Sequence, residues 1–493
     1  HHEWIKINLE KLEDRLRVHV IPTVATKGEG LNQVIQKFDY RKMADSNFEN
    51  TGDTHQRWAE IGDIVQEVQK IEHRHHSWMD IMEEATIKPL SGIPIAILVL
   101  ALAFKIVRFV GEGFINYIAD PFFMNIYQPV ILKLSLLLGE KGFIHNMFIG
   151  QLIKGEIDFE QSFGLLTTGI YIPFSAVLPY IIAFYFILGL LEDTGYLPRL
   201  AVLVDNVMHK VGLHGFSIIP MILGFGCNVP AALAARTLDS KREKFIASTL
   251  MAISIPCMAQ TAMIIGLLGS HGAIYIGYVF AALLTVWITV GLILNRILPG
   301  YSSDLLIEIP SLRIPTPVIV VKKLWMRISS FLQEAIPYVL LGVFIVNLLY
   351  VLGLFQILSE IMGPIFNIIF DLPDQAISAL LMGFLRKDLA MGLLVPLDLT
   401  IKQLVIASTI LTIYFPCAAT FIVLVRELGI KDMLKSTLVM LITAIVVGGL
   451  MNITYRKDGL TIIIWGLLII GIILFKLAPV DFFSKEKEDR LDI

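Results

Sequence analysis

The sequence predicts an all-α polytopic membrane protein built from two internally repeated halves whose helices are broken. Three observations carry that prediction. First, 55% of the 493 residues are hydrophobic and only 17% charged, with a mean hydropathy of +0.71; soluble chains usually carry about a quarter charged residues. Second, apolar runs of about 20 residues, enough to cross the hydrocarbon layer as helices, recur from residue 91 onward. Third, residues 224–260 and 383–420 repeat one pattern: Ile-Ala-Ser-Thr, six residues, then Pro-Cys. Ile246 matches Ile406 and Cys257 matches Cys417, since 406−246 and 417−257 both give 160. With small slips, Gly224-Phe225 aligns with Gly383-Phe384, Asp239 with Asp398, Pro179-Tyr180 with Pro337-Tyr338 and Gly195 with Gly353. A long repeat in an apolar chain is the mark of a transporter made of two related halves.

Before the membrane part, residues 7–16 read as a short amphipathic helix, 19–23 (HVIPT) as a strand, 25–30 (ATKGEG) as a turn and 31–38 as the start of a helix. This strand–turn–helix pattern resembles the end of a Ras-like G domain, where Ala25, Thr26 and Lys27 would stand in the loop beside the guanine base. No GxxxxGK[ST] phosphate loop and no NKxD-type motif is present, so this chain alone is expected not to bind GTP. Residues 1–39 are therefore read as the C-terminal remnant of such a domain. Residues 40–88 are charged and helix-prone, a cytoplasmic helical domain; 58–73 repeats apolar positions at helical spacing. His73, His75 and His76 invite a metal reading, but no third ligand type follows at suitable spacing, and a solvated helix face explains them.

Candidate spans follow at 91–118, 168–194, 214–237, 244–269, 272–298, 330–353, 374–398, 402–428, 433–453 and 459–478. Residues 116–160 are amphipathic and read as interfacial or loop. The domains expected are a first span and amphipathic section over 89–165, repeat 1 over 166–298, a cytoplasmic linker over 299–328, repeat 2 over 329–456, and a last span with a charged tail over 457–493. Lys322, Lys323 and Arg327 place the linker on the cytoplasmic side. Gly224, Gly226 and Pro230 interrupt the span at 214–237, and irregular backbone at membrane depth must be shielded or line a cavity. If that segment re-enters, each half has an odd number of crossings and the halves are inverted.

The chemistry gathers at the repeated motifs. The chain has three cysteines, Cys227, Cys257 and Cys417, all inside them. Pro256 and Pro416 each remove a helix N–H and free carbonyls near Ala252 and Thr412. A thiol beside freed carbonyl oxygen can hold a desolvated cation transiently; thiolate disfavours Mg2+ and Ca2+ and favours Fe2+, Zn2+ or Cu(I). Cys227-Asn228 adds a sulfur and an amide oxygen. The bland alternative is that cysteine packs as a small apolar residue, which two in the same repeated frame make less economical. Glu192 and Asp193, ending the second span, are either cation attractors or a helix-end cluster neutralised by Arg199. Arg386-Lys387-Asp388 holds the place of Cys227-Asn228, as a brace for the broken helix or as a gate. Ser248, Thr249, Ser408 and Thr409 are placed to hydrogen-bond across helices.

GLLEDTGYLPRLAVLVD, GFGCNVPAALAARTL, IPCMAQ, GFLRKDLAMGLL and FPCAATFIVLVRELG, with VIPTVATKGEGL upstream, resemble the signature segments of the ferrous iron transporter B family (FeoB). The resemblance covers nearly the whole chain. It implies an importer of Fe2+ in the inner (plasma) membrane of a bacterium or archaeon, multi-pass, with two gate repeats and its N-terminal region in the cytoplasm. It implies Cys227, Cys257 and Cys417 as translocation residues; the reading of the residues themselves adds Asn228, Glu192 and Asp193 as further candidate metal ligands. GTP and Mg2+ are implied only for the complete protein, whose hydrolysis would drive opening through the 40–88 helices. A small FeoA-type cytoplasmic protein is an implied partner, the lipid bilayer a required one, and a homo-oligomer stays open. No basic tract suggests nucleic acid. Two rival readings remain: an organic-solute carrier of nucleoside type, and a nucleotide-dependent membrane sensor that moves no solute.

Overall fold

The structure, a computed structural model, describes residues 3–16, 18–24, 29–37, 54–73, 78–139, 142–150, 152, 157, 159, 162, 164–238, 240–300, 309–351, 353, 363–364, 366–385 and 387–454. The chain forms two compact units, His1–Glu84 and Ala85–Ile493.

In the smaller unit β1 (Glu3–Ile7) leads into α1 (Leu9–Leu16), followed by α2 (Leu31–Lys37) and α3 (Thr54–Val68). β2 (Gln69–His73) then pairs antiparallel with β1, Ile5 opposite Ile71. Two expectations fail here. Residues 19–23 form no strand; the nearest pairing is a single bridge between Val24 and Glu29. The helix expected through residue 73 stops at Val68, because Gln69–His73 completes the ladder that β1 otherwise lacks. A tertiary partner has overridden local spacing. Ala25, Thr26, Lys27, His75 and His76 lie outside the described residues. A short helix, α4 (Trp78–Ile87), precedes the apolar part.

The larger unit begins with α5 (Pro89–Leu137), a helix of 49 residues. The stretch from 116, expected as interfacial or loop, is helical to 137. Pro121 lacks an N–H and would end an ordinary helix. Wider π turns at Ile115–Ala119 and Phe123–Tyr127 flank it and carry the chain through. After α6 (Phe143–Phe148), α7 (Thr168–Asp193) packs on α5, where Tyr171 and Ser175 hydroxyls donate to Asp120 Oδ1 at 2.9 and 3.0 Å. Gly195, at φ 79°, turns the chain into α8 (Tyr196–Lys210); its repeat partner Gly353 has φ 73°. Only glycine adopts that left-handed backbone at little cost.

Next, α8 and residues Gly215–Gly226 form a pair bent by 102°, a broken or re-entrant span. The predicted span 214–237 is therefore two short helices, α9 (Ile218–Gly226) and α10 (Asn228–Ala234), with Cys227 extended between them. α11 (Lys241–Ser254) and α12 (Met258–Leu268) form one crossing, and α13 (Ala273–Ile297) the next. α14 (Pro317–Val351) starts the second repeat, its first turns lying in the stretch expected as linker. α15 (Asp374–Leu385) and α16 (Lys387–Leu394) replace the predicted span 374–398. α17 (Ile401–Ile413), α18 (Ala418–Leu428) and α19 (Ile430–Thr454) repeat the plan of α11 to α13. Among the described residues six helices are long and apolar enough to cross a membrane, or seven if the bent pair is one span. The span expected at 459–478 and the tail lie outside the described residues.

Capping fixes where the central helices start. Ser240 Oγ accepts the Glu243 N–H at 3.1 Å, and Thr400 Oγ1 accepts the Gln403 N–H at 3.3 Å, the same device 160 residues apart (400−240). Satisfying a first-turn N–H in this way contributes about 1 kcal/mol. Beyond its polar first turn each helix is buried on all sides, over 245–254 and 404–413, as a helix at the centre of a bundle is. The halves interlock reciprocally: α10 packs on α18 and α16 on α12, while α11 meets α17 directly.

Candidate functional site

Each Pro-Cys does more than kink its helix. α11 ends at Ser254 and α12 begins at Met258; α17 ends at Ile413 and α18 begins at Ala418. Proline cannot donate, and it disfavours helical backbone in the residue before it. Ile255 is accordingly extended (φ −102°, ψ 103°). Cys257 and Cys417 then become the N-caps of the 11-residue helices α12 and α18, both with extended backbone. Cys227 caps α10 with φ −154°. All three cysteines stand at helix starts, and each is partly buried.

Cys227 and Cys417 head α10 and α18, which pack on each other, and Cys257 heads α12, which packs on α16. Local bonds hold two of the cysteines. The Cys257 N–H donates to Gln260 Oε1 at 2.8 Å, while its sulfur accepts the Gln260 N–H. Cys417 Sγ and Thr420 Oγ1 lie 3.2 Å apart. Gln260 and Thr420 occupy the third place after each cysteine, a signal present in IPCMAQ and FPCAAT that sequence reading passed over. Among the described residues no group of three or more His, Cys, Asp or Glu is gathered tightly enough to hold a metal ion.

Asn228 is 5% exposed, and its Oδ1 has no hydrogen-bond partner among the described residues. A buried acceptor left without a donor costs about 1–3 kcal/mol, so the position carries a cost with no visible structural return. At the equivalent place in the second repeat stands Lys387 (387−228 is 159), 3% exposed. Its ammonium donates to the Leu411 carbonyl, one of those the Pro416 break sets free. It also lies 4.9 Å from the centroid of the Tyr414 ring. Arg386 and the Asp388 side chain lie outside the described residues.

Two repeat glycines set how closely the broken helices approach the central ones. A Cβ on Gly224 would meet Met251 Cγ at 3.0 Å; one on Gly383 would meet Leu411 Cδ2 at 2.5 Å. Beside Cys227 a cavity with room for roughly one water is lined by Tyr180, Ile181, Phe184, Tyr185, Gly226 and Pro230.

Glu192 and Asp193 are matched by cations of the chain, though not by Arg199. Glu192 accepts from Lys323 at 3.0 Å and from Arg327 at 2.6 Å, and Asp193 Oδ1 from Lys323 at 2.5 Å. Arg199 instead donates to Pro310 O at 2.8 Å and Thr86 Oγ1 at 3.5 Å. Two carboxylates facing two cations offer no net charge to a passing ion. Arg327 also lies 5.7 Å from the Tyr185 ring, beside the cavity at Cys227. Of the four hydroxyl residues expected to bond across helices, Thr249 does so, to Ser436 at 2.8 Å. Ser408 and Thr409 turn back to Leu404 and Val405 carbonyls. The Ser248 Oγ has no partner among the described residues. Arg236 and Glu427 form a paired contact, both bonds 2.6 Å, between the end of α10 and α18.

The family model for the Gate domain, described as nucleoside recognition, matches residues 174–271 and again 332–431. The model described as the ferrous iron transport protein B C terminus matches 275–327. A Methanocaldococcus jannaschii protein named Fe(2+) transporter FeoB is 29% identical over 341 residues, covering 61% of this chain and 51% of that protein. A Helicobacter pylori protein of the same name is 30% identical over 368 residues, covering 70% of this chain and 53% of its own length. A Porphyromonas gingivalis protein named as a fusion of Fe(2+) transport protein A and Fe(2+) transporter FeoB is 34% identical over 170 residues, 34% of this chain and 20% of the fusion. The chain thus spans about half the length of the first two relatives. No solved structure matches it.

Proposed function

Because the chain belongs to the ferrous iron transport protein B family, we propose that it moves Fe2+ across a prokaryotic plasma membrane through the paired helix breaks. What supports this reading is that Cys227, Cys257 and Cys417 each stand at a helix start, and that these helices interlock between the two repeats. A dehydrated ion needs replacement ligands inside hydrocarbon. Thiolates and an amide oxygen suit a borderline cation better than Mg2+ or Ca2+.

In this mechanism Fe2+ sheds water as it enters the interlocked centre. Cys257 and Cys417 release protons as they take it, since the thiolate is the ligand. Asn228 Oδ1, otherwise unpartnered, and carbonyls freed at the breaks supply oxygen. The loose spacing of the thiols suits passage, because a conducting site must also let its ion leave. Glu192 and Asp193, matched by Lys323 and Arg327, serve here as a brace rather than as an ion-attracting mouth. A nucleotide-binding domain, of which residues 1–39 are the last part, controls opening through the helices of 40–88; GTP and Mg2+ act there, in the complete protein. A small FeoA-type protein is the partner in this reading, supported by the fused relative.

The test is Fe2+ flux into proteoliposomes. Cys257→Ser and Cys417→Ser are expected to lower it about tenfold each, which corresponds to about 1.4 kcal/mol, with thermal unfolding unchanged. Zn2+ should compete and nucleosides should not. Normal flux in the double variant removes the thiol route. Competition by a nucleoside favours the organic-solute reading, for which the Gate description is the one observation.

A further inference from the structure

The two repeats present the same broken helix with different cargo at its tip. In the first, Asn228 offers a buried oxygen with no hydrogen-bond partner among the described residues. In the second, the Lys387 ammonium sits against the Leu411 carbonyl and over the Tyr414 ring, at the start of α16, which packs on the helix that Cys257 caps. Carbonyl oxygen, an aromatic face and thiol sulfur are the groups that recognise a cation. An ionisable side chain this deep among membrane helices is a functional candidate by default. Among the described residues no acid is shown bonded to it; its contacts are a backbone carbonyl and an aromatic face, groups that would equally hold a metal ion.

We infer that the Lys387 ammonium is a tethered cation occupying, in this conformation, the half-site in the second repeat that a metal ion takes during passage. A divalent ion can enter only as the ammonium swings away. Lys387 is therefore a positioning and specificity-determining residue that keeps the route shut to cations when no strongly bound ion displaces it. The length and flexibility of the lysine stem permit such a swing, whereas arginine would hold the same charge with a wider, planar head.

The inference rests on the thiol route proposed above, but its test does not need iron. Full-length protein is treated with two methanethiosulfonates of similar size, one uncharged and one carrying a fixed quaternary ammonium, and the rate at each cysteine is read by mass spectrometry. In Lys387→Met the cationic-to-neutral rate ratio at Cys417 and Cys257 is expected to rise about tenfold, while Lys387→Arg stays within about twofold of wild type. Asn228→Lys, which places a second ammonium in the first repeat, should lower the ratio at Cys227 about fivefold. Unchanged ratios in Lys387→Met overturn the inference. Should that variant fail to fold, an unchanged ratio at Cys227 in Asn228→Lys overturns it instead. Loss of the thiol route would appear separately, as normal Fe2+ flux in the cysteine double variant while the labelling ratios of Lys387→Met, with its cysteines intact, are still shifted.

Discussion

The first repeat carries Cys227 and an unpartnered Asn228 oxygen at its broken helix; the second carries Lys387, bonded and buried, at the same place. Around these tips the repeats agree closely. Ser240 and Thr400 cap the central helices, Cys257 and Cys417 cap the helices beyond the breaks, and Gly195 and Gly353 share a left-handed turn. Duplication has kept the scaffold and let the tips diverge.

The comparison can be broken first at its glycines. Gly383→Ala drives a Cβ to 2.5 Å from the buried Leu411, and should cost about 1–3 kcal/mol by overpacking. Gly224→Ala meets the more pliable Met251 at 3.0 Å and should cost less than about 1 kcal/mol. Thermal unfolding of the purified protein gives the order, and equal losses would mean the second break is no tighter than the first.

Asn228→Leu sharpens the contrast of tips. It removes the unpartnered oxygen and should raise stability by about 1 kcal/mol, while Fe2+ flux falls several-fold. A fall in both would make Asn228 structural. Glu192→Gln tests the brace. It leaves Lys323 and Arg327 short of a carboxylate, with a loss of about 1 kcal/mol at this half-exposed site and unchanged flux per folded molecule. Reduced flux at unchanged stability would restore the ion-attracting role. The smallest effect separates the central helices. Thr249→Val should cost about 0.6 kcal/mol, the usual worth of a hydrogen bond between membrane helices. Thr409→Val should cost nearly nothing, because Thr409 bonds only its own helix.

The repeat made much of this readable in advance. The breaks at Pro256 and Pro416, the interruption at Cys227 and the cap residues follow from rules local in sequence: a missing N–H, a β-biased residue before proline, a hydroxyl three residues before a polar side chain. What escaped was decided by distant partners. Gln69–His73 has helical spacing yet becomes a strand, because Glu3–Ile7 supplies its ladder. Residues 116–137 looked interfacial, but π turns carry the helix past Pro121. Arg199 was the nearest cation in sequence to Glu192 and Asp193, while the chain brings Lys323 and Arg327 from 130 and more residues away. Lys387 was visible as a charge in an apolar run, but its carbonyl and ring partners lie on α17 and just beyond its end.

The account stands on the claim that one ion is shared by cysteines of both repeats. Alkylation of Cys257 and Cys417 in the full-length protein, followed under anaerobic conditions as Fe2+ is titrated, tests it most directly. Protection of both thiols should rise together with one midpoint, and Cys257→Ser should shift the midpoint at Cys417 about tenfold upward, equivalent to about 1.4 kcal/mol. Protection of one cysteine without the other, or none at any Fe2+ concentration that supports flux, would contradict it.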